Sequence, residues 1–137
     1  MKKSIICSLM ILLCLFLCCC KSQQTANLKI VEDKSNFSDF VIKKETVIFY
    51  FTVSIRNETD GLKMIELYGD FTEDYESGLI QDARLQAFDP QSGDTTFLLS
   101  PGENRLNIAF SGTYGGETSQ KQNRLLPEIT ITEVQPD

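Results

Sequence analysis

Residues 46–56 set the strongest limit on the fold. Val47, Phe49, Phe51, Val53 and Ile55 occupy one parity, and Thr46, Ile48, Tyr50, Thr52, Ser54 and Arg56 the other. Side chains alternate across a β-strand, so a strand here points five large apolar groups at one surface, which has to be covered by a second layer. The polar cluster Asn57, Glu58, Thr59, Asp60, Gly61 then supplies turn chemistry.

Weaker signals of the same kind fill the rest of the chain. Leu28 and Ile30 alternate with Lys29, residues 37–43 form a short apolar run, and residues 62–67 read as a strand with Leu62, Met64 and Leu67 as its apolar members. Residues 68–78 read as an acidic loop. Residues 79–88 resume with Ala83, Leu85 and Ala87 on one parity, residues 96–99 form another short strand, and Leu106, Ile108 and Phe110 alternate with polar or small neighbours. Ile129 and Ile131 mark the last strand. No run reaches helical length with a period near 3.6. Seven to eight short strands separated by turn residues predict an all-β, immunoglobulin-like antiparallel β-sandwich over residues 28–137.

Composition narrows the chemistry. The chain has 137 residues, enough for one such domain, and contains no His and no Trp. Its five cysteines, Cys7, Cys14, Cys18, Cys19 and Cys20, all fall in the first twenty positions. The body therefore lacks disulfide staples, the usual zinc ligands, a thiol nucleophile and the commonest general base near neutral pH. No phosphate-binding glycine motif or nucleophile elbow is present. The expectation is a non-enzyme without a cofactor. Thirteen Lys and Arg stand against nineteen Asp and Glu. All the acids follow residue 30 while Lys2 and Lys3 precede it, so a chain beginning at Cys20 keeps eleven cations and a net charge of −8. Nucleic acid is not expected as a partner, and an acidic surface would be repelled by anionic lipid, so membrane attachment calls for a lipid on the protein itself.

The N-terminus suits that requirement. Lys2 and Lys3 precede an apolar stretch over residues 4–17, of signal-peptide length and short of the about 20 residues that span a bilayer. Leu17, Cys18, Cys19 and Cys20 resemble the lipobox of bacterial lipoproteins, a resemblance covering about twenty residues. The resemblance implies a signal peptide over 1–19, diacylglyceryl transfer to the Cys20 thiol, cleavage before it, and a lipid-anchored extracytoplasmic protein in the cell or outer membrane. Cys19 and Cys18 are the alternatives in the two neighbouring frames, since Cys at the −1 position departs from the usual small residue. Two acyl chains at about 0.8 kcal/mol per buried methylene make such attachment stable. Residues 20–27 then form the lipidated cysteine and a polar tether. Residues 96–110, with Ser100, Pro101, Gly102 and Glu103 between two strands, resemble the small immunoglobulin-like domains of bacterial surface proteins and lipoproteins, which implies the sandwich fold and often no catalytic role.

Two stretches offer candidate sites. Asp70, Glu73, Asp74 and Glu76, with Asp82 beyond, could contribute to the about six to eight oxygen ligands of calcium, although their spacing matches no EF-hand and an acidic loop is ordinarily only solvated. Residues 111–124 form a long connection containing Tyr114, Lys121 and Arg124. An aromatic group and two cations there make binding residues for another envelope protein or polymer. The alternative is a structural turn at Gly115 and Gly116, with Leu125 and Leu126 plugging one end of the sandwich. The functional expectation is a binding module, with solute capture for a transporter or a protective envelope role as the other readings.

Overall fold

The computed structural model describes residues 26–118 and 124–135. Cys18, Cys19, Cys20 and Lys121 lie outside the described residues. Eight strands form: β1 Leu28–Ile30, β2 Asn36–Lys43, β3 Thr46–Asn57, β4 Lys63–Asp70, β5 Arg84–Phe88, β6 Phe97–Leu99, β7 Gly102–Thr113 and β8 Ile129–Glu133. A short helix, α1, covers Thr72–Glu76, and a 3-10 turn covers Glu32–Lys34.

All pairings are antiparallel. One layer places β1 and β2 in succession along one edge of β3, whose other edge carries β7 in unbroken register from Thr46 opposite Thr113 to Asn57 opposite Gly102. The other layer centres on β4, with β8 on one side and β6 on the other. β5 belongs to both: Arg84, Leu85 and Gln86 pair with β4, and Ala87 and Phe88 with β7. The eight strands thus make the expected sandwich, closed along β5, with β1 and β8 at the opposite side.

The alternation in β3 has the consequence expected of it, since Val47, Phe49, Phe51, Val53 and Ile55 are all buried. Each such side chain contributes about 1.5–3 kcal/mol of transfer free energy. Phe71, from the turn after β4, stacks on Phe49 with ring centroids 4.8 Å apart, and Phe110 from β7 meets Phe71 edge-on at 5.1 Å. The opposite face of β3 is also covered in part. Val31 N–H donates to the Ser54 carbonyl, Ser54 N–H donates to Ser35 Oγ, and Ser54 Oγ donates to the Lys34 carbonyl, so the 3-10 turn buries Ser54.

Three local expectations are corrected. The apolar frame of β4 is corrected in part: Leu67 faces the core as expected but with Ile65 rather than Met64, whereas Leu62 is 62% exposed and precedes the strand. Pairing with β6 and β8 fixes this frame, and neither partner is adjacent in sequence. Residues 68–78 are not one loop, because Tyr68, Gly69 and Asp70 continue β4 and the single turn of α1 follows, too short to show a period. Residues 79–83 precede rather than join β5. Leu79 and Ile80 N–H both donate to the Asp74 carbonyl, and this folds the segment onto α1.

Asn57 anchors the turn that follows β3. Its buried amide donates to the Gly61 carbonyl and its Oδ1 accepts from the Thr59 backbone and hydroxyl, so the Asn57-Glu58-Thr59 pattern is a turn device.

Candidate functional site

The two candidate stretches, separate in sequence, meet in space. α1 presents Asp74 inward, and the segment leading into β8 lays Arg124 against it, with Arg124 Nη1 donating to Asp74 Oδ1 at 2.7 Å. Both side chains are nearly withdrawn from solvent, at 7% and 10% exposure. The guanidinium also lies over the rings of Phe49 at 4.9 Å and Phe40 at 5.1 Å. Arg suits this place because its planar cation stacks on aromatic faces while forking toward a carboxylate.

Above the pair, α1 and residues 124–128 form the walls of a cleft of about 550 Å³. Phe51 and Phe71 contribute to it from the core side, and the carboxylates of Asp70, Glu73 and Glu128 line it. A second groove of about 430 Å³ shares Asp70, Thr72 and Glu128 and runs on to Arg84, whose guanidinium covers the Tyr68 ring at 4.4 Å. The hydrogen bond that Tyr68 donates to Glu66 at 2.9 Å holds the phenol above its ordinary pKa, because the neutral form is the donor.

Asp70 is set by its own neighbour. Its Oδ1 accepts from the Thr72 hydroxyl at 2.6 Å and the Thr72 N–H at 2.9 Å, and these two bonds, the hydroxyl first, hold its carboxyl below the usual value. A depressed carboxylate pKa adds stability that is complete above the unfolded-state value and disappears as pH falls through the folded one. Thr72→Val removes the stronger donor. The expected result is an upward shift of the Asp70 titration midpoint by carboxyl NMR and a weaker loss of stability on acidification; an unchanged midpoint would rule out the Thr72 hydroxyl as the cause.

No group of three or more His, Cys, Asp or Glu is placed to hold a metal ion among the described residues. Within the acidic stretch, Asp74 is hydrogen-bonded to Arg124 and Asp70 to Thr72.

The candidate binding residues that the structure describes fall in different places. Arg124 is a buried ion-pair member rather than an exposed contact. Tyr114 lines neither cleft; it is half-buried, bridges to Ile80, and donates its N–H to the Glu45 carbonyl. Leu126 packs against the core, but Leu125 is 90% exposed, so only one of the two leucines plugs the sandwich. Phe71 and Glu128 escaped the sequence reading. A Phe beside the acidic run was the available signal for the first; for the second there was none, since its position depends on the β4–β8 register.

No family model, curated protein or solved structure matches this chain.

The connection from β7 to β8 is fixed at both ends. Gly115 N–H donates to the Leu79 carbonyl at 2.8 Å, and a Cβ on Gly115 would overlap the Gly78 carbonyl. Gly115→Ala forces backbone apart from backbone, with an expected loss of about 1–3 kcal/mol read from the urea midpoint. At the other end stands the Arg124–Asp74 pair.

Proposed function

We propose that this chain is an acyl-anchored extracytoplasmic binding module, without catalytic activity, that offers the β7–β8 connection and the adjoining acidic cleft to another envelope protein or polymer. The supporting observation is the double fixation of that connection, by Gly115 on Leu79 and by Arg124 on Asp74. A rigid base under a polar connection is the arrangement by which binding scaffolds present loops. The cleft carboxylates select a partner surface bearing cations. The anchor rests on the lipobox resemblance and on the eight residues from Cys20 to Asn27, a tether ahead of β1.

The testing experiment is intact mass of the membrane-extracted protein with and without a signal peptidase II inhibitor. A mature chain beginning at Cys20 with a diacylglyceryl addition, lost in Cys20→Ser, is expected; unmodified cysteines in the untreated protein would remove the anchor. The binding role is tested by envelope cross-linking of the wild type against Tyr114→Ala with Lys121→Ala, and an unchanged cross-linking pattern would remove the loop from it.

A further inference from the structure

We propose that the outer edge of β8 is an acceptor for β-strand addition, and that its occupant is an extended segment of a partner polypeptide with two apolar side chains spaced two residues apart and basic residues at its ends. Asp70 N–H donates to the Glu128 carbonyl at 2.9 Å and Val134 N–H donates to the Met64 carbonyl at 2.8 Å. With the register of β8 on β4, these bonds turn the backbone groups of 128, 130, 132 and 134 toward β4. Ile129, Ile131 and Glu133 therefore direct their N–H and C=O groups away from it, and no strand among the described residues pairs with that side.

Three other edge strands among the described residues are protected in recognised ways. β1 and β6 have three residues each, and β2 is broken by a register shift between Phe37 and Asp39 and ends on Lys43. β8 reads Ile-Thr-Ile-Thr-Glu, with high strand propensity and no Pro, Lys, Arg or register shift. Its inward side chains are also incompletely covered: Ile129 and Ile131 pack on the core yet stay half-exposed, and a groove of about 550 Å³ separates them from Leu28 and Ile30 of β1. An added strand would lie about 4.8 Å beyond β8, with alternate side chains directed into that groove.

The rim decides between occupants. Glu32 and Lys29 both line the groove, Lys29 is engaged there with Glu58 at 3.3 Å, and Glu128 stands exposed beyond it at the head of β8. Basic flanks on the incoming segment complement this rim, whereas a second copy of this chain would bring the same carboxylates and the same negative net charge. A helix cannot use three donor and acceptor pairs laid out at strand spacing.

The test uses the full chain in detergent micelles and the peptide Lys-Thr-Val-Thr-Val-Thr-Lys, with residue-resolved amide hydrogen exchange. In the protein alone the amides of Ile129, Ile131 and Glu133 should exchange rapidly. Peptide near 1 mM should slow them by at least about tenfold, and the same peptide N-methylated along its bonding edge should not. The proposal is overturned if those three amides are already slow in the monomer, if the peptide leaves them unprotected, or if the methylated peptide protects equally. A dimer in sedimentation that protects the same amides would overturn the choice of occupant in favour of a second copy.

Discussion

Arg124→Ala is expected to destabilise the domain by about 3–5 kcal/mol, because it leaves Asp74 as a charge in a site with 10% of its side chain exposed. The truncation also empties the space over Phe40 and Phe49, where the guanidinium stem and plane now lie. The reverse half of the pair, Asp74→Ala, should cost a similar amount. The double variant Arg124→Met with Asp74→Leu removes both charges and keeps the volume, and its stability should recover most of the loss. Urea denaturation of the wild type, Arg124→Met, Asp74→Leu and the double variant forms a cycle that isolates the coupling. A large loss in Arg124→Ala beside little or none in Asp74→Ala would mean that Arg124 acts through packing alone. The same variants bear on the proposed role, since loosening the segment before β8 removes one of the two supports of the connection.

Phe110→Ala is expected to cost about 3–5 kcal/mol for a different reason. Phe110 is fully buried, lies edge-on to Phe51 at 5.8 Å and to Phe71 at 5.1 Å, and is paired through the backbone with both Phe49 and Ala87. Its position on β7, where β3 is on one side and β5 on the other, leaves little freedom for the neighbours to collapse into the cavity. Phe110→Leu should lose less, in proportion to the smaller void. Denaturant midpoints with unchanged slopes would confirm a packing loss; an altered slope would indicate that the sandwich itself had loosened.

The parts of the fold that were legible in the sequence are those encoded locally. β3 announces itself because five apolar residues of one parity leave no other economical arrangement, and Asn57 with its followers marks the turn that ends it. β4 was legible as a strand but not in frame, because Leu62, Met64, Ile65 and Leu67 offer apolar residues on both parities and only pairing with β6 and β8 selects one. The candidate site was legible as two stretches and not as one place. Asp74 and Arg124 are joined across 50 residues, a separation over which no periodicity carries information. Sequence reasoning weighed the acid and the cation separately, when each is the other's counter-ion. The free edge of β8 was hidden for a related reason: a strand's sequence shows its two faces but never which of its two edges is occupied.

The long β3–β7 ladder also governs the order of events during folding. Thr46 must find Thr113 and Asn57 must find Gly102, so the most apolar strand of the domain has no central partner until residues 102–113 have been made. Non-local pairing of this kind places folding in the millisecond-to-second range rather than the microsecond range. Through that interval Val47, Phe49, Phe51, Val53 and Ile55 remain uncovered except by the local β2–β3 hairpin, which closes at Lys43 opposite Thr46. That hairpin is the earliest shelter available to the strand, and slowing its closure should raise the yield of aggregated chain before it alters the stability of the finished fold.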